Sequence, residues 1–415
     1  MSEKLSTEPY KGVRDFYPEE QFVHNYIRET MAAVAESFGY SEYSASILEP
    51  SELYSSKGAA NEEIVNEQTY TFTDRGKRQV TLRPEMTPTV ARMLAAKRRE
   101  LAFPLRWYSV PNVFRYERPQ RGRLREHWQL NCDIFGVTEV TAEAEIISLA
   151  SALMHAFGAT SEDFEIRISD RALLESIFTE LSVTGDEKAT VMRLLDKRAK
   201  TENFMNALTE VLGERARELD DRLSRASSST ALESLLSTLN ERGIHNVSID
   251  TSIVRGFDYY TGIVFEVFDT ASENNRSLFG GGRYDNLTSL FDTEPLPAVG
   301  FGMGDVTVRD FLETHNLLPE YSSSTDLYLC SASDDVAEYI EEVARELRSE
   351  GLNVEVNLLD KKVGEQIKLA DKKKIPFVMC IGKDEAESGT FSLKHLASGE
   401  EKEVGLKEIA TAIFS

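Results

Sequence analysis

Five arginines fall within eleven residues, at 115, 118, 121, 123 and 125 of Phe114-Arg-Tyr-Glu-Arg-Pro-Gln-Arg-Gly-Arg-Leu-Arg-Glu-His-Trp-Gln129, and Glu117 is the one acid between the first and the last. Guanidinium forks are planar bidentate donors that suit phosphate oxygens. Pro119 and Gly122 set a turn between flanks that read as strands, so the segment reads as a hairpin with a cationic tip. The plain alternative is a solvated loop paired with some of the chain's 70 acids. A second cluster, Val254-Arg-Gly-Phe-Asp-Tyr-Tyr-Thr-Gly-Ile-Val-Phe-Glu266, places a cation, an acid and two adjacent tyrosines before an apolar run. It could equally be a strand start with a salt bridge. Gly280-Gly-Gly-Arg-Tyr-Asp-Asn-Leu287 permits close approach of a ligand or positive φ angles. It is not a Walker loop, because no Lys-Ser/Thr follows at the required spacing. Thr81-Leu-Arg-Pro-Glu-Met-Thr-Pro-Thr89 puts Glu85 at a strand-to-helix junction, where Glu85 or Thr87 could simply cap the helix. The six histidines show no HExxH and no paired metal spacing, so no protein-bound metal is expected. No GxSxG elbow is present, which disfavours a serine-triad hydrolase.

These residues need a frame. Apolar positions recur at helical spacing over 20–38 and 140–157. Thr69–Thr73, Gln79–Leu82, Leu105–Val110, a run from His127 and Phe164–Ser169 read as strands. Residues 171–242 are almost wholly helical, with a loop at Ser227–Thr230, and strands resume at Val247 and Ile263. A helical block between strand-rich blocks reads as an insertion within one sheet domain. Pro319-Glu-Tyr-Ser-Ser-Ser-Thr325 reads as a linker, and strands then alternate with helices, as in a small separate α/β domain.

Composition sets bounds. A chain of 415 residues suggests about two to three domains. The hydrophobic fraction of 41% is ordinary for a globular protein, and no apolar run of about 18 residues exists to span a membrane. The N-terminus lacks the apolar core of a secretory signal. Cys132, Cys330 and Cys380 form no CxxC pair. The chain therefore reads as a protein of a reducing cytoplasm. Net charge is −23, which excludes a non-specific coat on nucleic acid; any nucleic-acid role must be confined to patches, and solubility in a salty cytosol is the plain reading of the excess acid.

Taken together, the clusters resemble the histidyl-tRNA synthetase family of class II aminoacyl-tRNA synthetases, over nearly the whole chain. Lys11-Gly-Val-Arg-Asp-Phe-Tyr-Pro18 opens the resemblance, and the 20–38 helix with Ile47-Leu-Glu-Pro50 looks like motif 1. Phe114 to Gln129 looks like motif 2. Arg255-Gly-Phe-Asp-Tyr-Tyr260 and Gly281-Gly-Arg-Tyr-Asp285 look like the two histidine signatures, and Gly300-Phe-Gly-Met-Gly304 like the start of motif 3. The resemblance implies an α+β catalytic domain over 1–322, an antiparallel sheet flanked by helices, with a helical insertion at about 171–242. An anticodon-binding α/β domain would cover 326–415. It implies activation of L-histidine by ATP with Mg²⁺, transfer to tRNA(His), and a homodimer, with no membrane and no DNA among the partners. Arg115 and Arg255 would be the catalytic cations, and Arg115, Glu117 and Arg255 the ATP contacts. Glu85, Met86, Thr87, Gln129, Asp133, Tyr259, Tyr260 and Tyr284 would hold histidine. Arg118, Gln120, Arg121, Arg123 and Arg125 would face the acceptor end of tRNA, and Lys361, Lys362, Lys368 and Lys372 to Lys374 the anticodon stem.

One position departs from the family pattern. Thr307 sits where the motif 3 arginine is expected, and Arg309, two residues on, lies about 200° round a helix and cannot simply replace it. That bears on ATP contacts and gives weight to a second reading, a catalytically silent paralogue that binds histidine as a regulatory subunit of ATP phosphoribosyltransferase. Arg255, the arginine-rich loop and the C-terminal domain oppose it, since a regulator needs none of them. A pure RNA-binding module would not need the Glu85, Gln129, Asp133 and Tyr260 set.

Overall fold

The computed structural model describes residues 5–56, 67–196, 198, 203–225, 229–251, 253, 259–274 and 276–414. They divide into two compact units, 1–318 and 319–415. The first unit opens with α1 (Pro18–Ser37), β1 (Ser41–Glu42), β2 (Leu48–Pro50), α2 (Glu52–Ser55), β3 (Tyr70–Thr73) and β4 (Gln79–Leu82). There follow α3 (Thr87–Lys97), β5 (Leu105–Ser109), β6 (Asn112–Phe114), β7 (Glu126–Phe135), α4 (Thr141–Ala156) and β8 (Phe164–Asp170). Next come α5 (Arg171–Glu180), α6 (Gly185–Asp196), α7 (Phe204–Leu212), α8 (Arg215–Arg225) and α9 (Thr230–Glu241). The unit ends with β9 (Val247–Ile249), β10 (Ile263–Asp269), β11 (Ser277–Arg283), β12 (Ala298–Gly304) and α10 (Asp305–Thr314).

Nine strands form the main sheet in the order β1-β5-β7-β12-β11-β10-β8-β9, with β6 also paired to β7. Only the pairs at the two ends of that order, β1 with β5 and β8 with β9, are parallel. Strand period decides which residues face the chemistry. On β7, Leu130, Cys132 and Ile134 enter the core with α1, α4, α9 and α10, so Gln129, Asn131 and Asp133 take the other face. On α1 the buried positions His24, Ile27, Met31 and Ala35 recur every three or four residues, the stripe a sheet-covering helix requires.

The glycine-rich segments are strands, not turns. Gly280–Gly282, Gly300 and Gly302 all lie in β11 or β12, and none has a positive φ. Close approach explains them: a Cβ on Gly281 would overlap the Gly300 carbonyl and Phe301, and one on Gly300 would overlap the Asp133 carboxylate. Between β8 and β9, helices α5 to α8 share a core of their own, from Leu174 to Leu223. Helix α9 does not belong to it, because Leu232, Leu235 and Leu239 pack into the main sheet core. The separate helical body thus ends before α9, short of residue 242.

The second unit runs β13 (Leu327–Ser331), α11 (Ala337–Ser349), β14 (Val354–Val356), α12 (Val363–Lys372), β15 (Phe377–Ile381), α13 (Lys383–Ser388), β16 (Thr390–His395), β17 (Glu401–Gly405) and α14 (Ile409–Phe414). Its sheet order is β14-β13-β15-β16-β17, parallel in the first three strands and antiparallel beyond.

One buried ion pair ties β11 to α4. Arg283 donates from Nε and Nη2 to the two Glu143 oxygens at 2.5 and 2.7 Å, and from Nη1 to the Val137 carbonyl at 2.9 Å. Removing one partner strands the other charge in the interior, at a cost of about 3–5 kcal/mol. Glu143→Ala should therefore lower the urea midpoint of the first unit with its m-value unchanged. A midpoint equal to wild type would show that the pair holds nothing.

Candidate active site

A polar cavity opens on the face of the sheet away from α1 and α4. Glu85, Thr87, Arg115, Gln129, Asn131, Asp133, Tyr259, Tyr260 and Tyr284 line it, with Gly280, Gly300, Phe301 and Gly302 as its floor. Register builds it. Asp133 lies opposite Gly300, Asn131 opposite Gly302 and Gln129 opposite Gly304. Each long polar side chain thus stands over a residue that has none. Gln129 lies so close over Gly302 that a Cβ there would sit 2.9 Å from its Nε2.

Two buried carboxylates stand at the wall. The Tyr284 hydroxyl donates to Asp133 Oδ1 at 2.5 Å. The Tyr259 hydroxyl donates to Glu85 Oε2 at 3.3 Å, while Glu85 Oε1 is buried with no hydrogen-bond partner among the described residues. Burial is the largest influence on both, and it pushes each carboxyl up to about 7. Arg115 and the Tyr259 bond pull Glu85 back only partly, as the Tyr284 bond does for Asp133. The sign of the linkage follows. A carboxyl held above its unfolded value favours the fold while protonated, and that contribution is lost as pH rises through about 7. A pocket that keeps such groups is arranged for a ligand that brings cationic or N–H donors.

Arg115 stands at one end. Its Nε donates to the Pro84 carbonyl at 2.9 Å, which fixes the guanidinium at the cavity. Nearby His127 is held neutral, its pKa lowered to about 3 by burial and then by Arg115 and Arg14. Tyr259 packs against Tyr260 and Tyr284 with ring centroids 4.9 and 5.7 Å apart. Arg255 lies outside the described residues.

Of the expected histidine contacts, Glu85, Thr87, Gln129, Asp133, Tyr259, Tyr260 and Tyr284 meet at this one cavity. Met86 does not line it. Its side chain is fully buried, in one apolar cluster with Val90, Leu94 and Phe135. Asn131 lines the cavity though the sequence reading passed over it; the alternation Gln129, Asn131, Asp133 was the available signal.

The arginine segment is also sorted by the structure. Gln120 and Arg123 bond to each other through both backbone amides, closing a tight turn at Arg121 and Gly122, where φ is +75°. Arg118, Gln120, Arg121 and Arg123 are exposed, and Arg118, Gln120 and Arg123 border a surface hollow with Tyr116 and Glu117. Arg123 pairs with Glu117 at 3.3 Å and Arg121 with Asp310 of α10 at 2.5 Å. Arg125 is different and corrects the expectation of an RNA contact. It is 8% exposed, its guanidinium lies 4.0 Å from the Tyr116 ring centre, and its Nη1 donates to the Tyr10 hydroxyl at 3.0 Å. Its backbone N–H donates to the Gly12 carbonyl at 2.7 Å. Gly12 has φ +88°, and a Cβ there would meet the Arg125 chain at 2.8 Å. Arg125 thus pins the N-terminal segment to the base of the hairpin. Two residues on, Arg14 donates to Asp305 at 2.7 Å, and Asp305 also accepts from the Trp128 backbone at 2.9 Å.

Thr307 lies in the first turn of α10, its hydroxyl donating to the Gly304 carbonyl at 3.0 Å, and Arg309 is engaged with Glu313 on its own helix at 2.9 Å. Neither the cavity wall nor the floor includes Arg309.

Comparison with known proteins agrees with this geometry. The histidyl-tRNA synthetase family matches residues 12–306, and the anticodon binding domain family matches 326–414. A histidine–tRNA ligase of Leptospira biflexa is 43% identical, over 95% of this chain and 94% of its own. One of Thermoplasma volcanium is 38% identical over 98% of both chains. The crystal structure of histidyl-tRNA synthetase from a Nostoc species superposes with a TM-score of 0.83 at 25% identity, over 99% of each chain. The fold is that of a class II aminoacyl-tRNA synthetase. Within that class, the chain belongs to the histidyl-tRNA synthetase family.

Gly300→Ala should test the glycine floor. The new methyl group would displace the Asp133 carboxylate, so histidine affinity should fall by at least about tenfold, or about 1.4 kcal/mol. Calorimetric titration of the folded variant checks this, and an unchanged Kd would remove Asp133 from the site.

Proposed function

We propose that the chain activates L-histidine with ATP and transfers it to tRNA(His). The observation that carries the reading is the orphaned Glu85 oxygen in a buried cavity that also holds Gln129, Asp133 and Arg115. Glu85 and Gln129 take the α-ammonium. Asp133, with Tyr260 and Tyr284, takes the imidazole; an isostere lacking ring N–H groups would leave that carboxylate unpaired, which is how such pockets discriminate. Thr87 and Tyr259 complete the wall.

In the first step a histidine carboxylate oxygen attacks the α-phosphorus of ATP, and pyrophosphate leaves. Charge grows on phosphate oxygens, so catalysis rests on fixed cations. Arg115, anchored through Pro84, is one such cation; Arg255 is the second, carried by the resemblance of its segment to the family signature. Glu117 borders the nucleotide side. In the second step the terminal ribose hydroxyl of tRNA attacks the acyl carbon, and AMP leaves. Among the described residues no three metal-ligating side chains converge. Mg²⁺ brought in with ATP would supply charge neutralisation for the leaving pyrophosphate.

Arg118, Gln120, Arg121 and Arg123 form the RNA-facing tip, at the acceptor end. The second unit, with Lys361, Lys362, Lys368 and Lys372 to Lys374, takes the anticodon stem, and the first unit, 1–318 where the sequence suggested 1–322, carries the chemistry. Two copies pair through α1 and the β2 region, where Leu48 is 42% exposed and Phe72 of β3, in the same three-stranded sheet, is 47% exposed. The place of action is the cytoplasm. Among the described residues no helix is long and apolar enough to cross a membrane.

Pyrophosphate exchange with each of the twenty amino acids should proceed with histidine alone. Replacing Arg118, Arg121 and Arg123 together with alanine should leave that exchange within about tenfold while it flattens the salt dependence of tRNA binding. Binding of histidine with no exchange at saturating ATP and Mg²⁺ would overturn the ligase reading in favour of the regulator. An unchanged salt slope would overturn the assignment of the tip.

A further inference from the structure

The second unit holds two of the chain's three cysteines, on adjacent strands. β13 and β15 run parallel, and Cys330 is the direct cross-strand partner of Cys380. Directly opposed residues of a pleated pair point to the same face. Tyr328 and Val378, two residues earlier on each strand, mark that face: they form one apolar cluster with Cys330 and Ala370 of α12, and Cys380 packs against it. Neighbouring strands lie about 4.8 Å apart, within the Cα separation of about 4.4–6.8 Å that a disulfide spans. Each thiol perturbs the other: Cys380 beside it, with burial, pushes Cys330 up, and Cys330 draws Cys380 down. Cys330 is fully buried, whereas Cys380 is half-buried. Cys380 is thus the partner an oxidant meets first, and Cys330 lies beside it.

We propose that Cys330 and Cys380 form a dithiol site that hydrogen peroxide converts to a disulfide. The Cys380 thiolate attacks one peroxide oxygen and the O–O bond breaks. Hydroxide leaves and takes up a proton as water, and Cys380 becomes a sulfenic acid. The Cys330 sulfur then attacks the Cys380 sulfur and the S–O bond breaks. The Cys330 proton departs with the hydroxyl as a second water. Two thiols lose two electrons, and one peroxide becomes two waters. Only neighbouring side chains are consumed, so the backbone register need not change. The bond would staple β13 to β15 beside α12, the helix that carries Lys368 and Lys372. Cys132, fully buried in the core of the other unit, is the internal control. The site does not depend on the reaction assigned above.

The test is peptide mapping of the full-length reduced protein after peroxide treatment and alkylation, without reductant. A peptide pair joining Cys330 to Cys380, two hydrogens lighter than its separate parts, is expected. Dithiothreitol should release it, and Cys132 should remain a thiol. In Cys330→Ser the link should vanish and a dimedone adduct should appear on Cys380. In Cys380→Ser, Cys330 should stay reduced at the same dose. The proposal is overturned if the linked pair never forms, if isotope-mixed samples show it only between chains, or if Cys132 oxidises as fast as Cys380.

Discussion

The site depends on one electrostatic constraint: two carboxylates are kept buried in a protein interior, and one of them, Glu85, has an oxygen that meets no donor among the described residues. Glu85 and Asp133 are each pushed up to about 7 by burial. A fold selected for stability alone would pair or remove such groups. Their retention makes sense if a ligand supplies what the protein withholds. The glycine floor belongs to the same constraint, since only residues without a Cβ let β12 run beneath Asp133 and Gln129.

Around that centre, charges that are fully satisfied do the holding. Arg283 and Glu143 lock the end of β11 to α4, next to Tyr284, whose hydroxyl reaches Asp133. Arg125, set between the Tyr10 and Tyr116 rings, ties the N-terminal segment to the hairpin stem, and the Arg125 carbonyl accepts from the backbone N–H of Arg115. Arginines in one short run therefore do different work. Arg115 lines the cavity, Arg125 is structural, and Arg118, Arg121 and Arg123 lie at the surface. Thr307 leaves α10 without a cation at that position, and Arg309 is turned to Glu313.

Much of this was legible in the sequence, for identifiable reasons. The strand-to-helix junction at Glu85 and the polar alternation on β7 follow from side-chain period. The long helices show in the spacing of residues such as Ile27, Met31 and Ala35. Other features were hidden because they depend on partners distant in sequence. Gly280–Gly282 and Gly300–Gly304 look like turns until the opposing strand is known, since strand propensity disfavours glycine. Arg125 could not be told from its neighbours, because its burial is set by Tyr10 and Gly12, over a hundred residues away. Leu232, Leu235 and Leu239 read as one more amphipathic helix of the insertion, and only packing on the main core separates them. The β16–β17 hairpin carries a short signal, with Phe391 and Leu393 the buried residues of β16 and Val404 that of β17.

The most direct test of the unmet-carboxylate account is thermal unfolding of Glu85→Gln with and without histidine. The substitution keeps the shape and removes the charge. Without ligand the variant should unfold no lower than wild type at pH 8, since a buried, unpaired charge has been removed. Saturating histidine should raise the wild-type midpoint but barely move that of the variant, because stabilisation by a ligand scales with its affinity. A variant less stable than wild type without ligand, yet equally stabilised by histidine, would contradict the account.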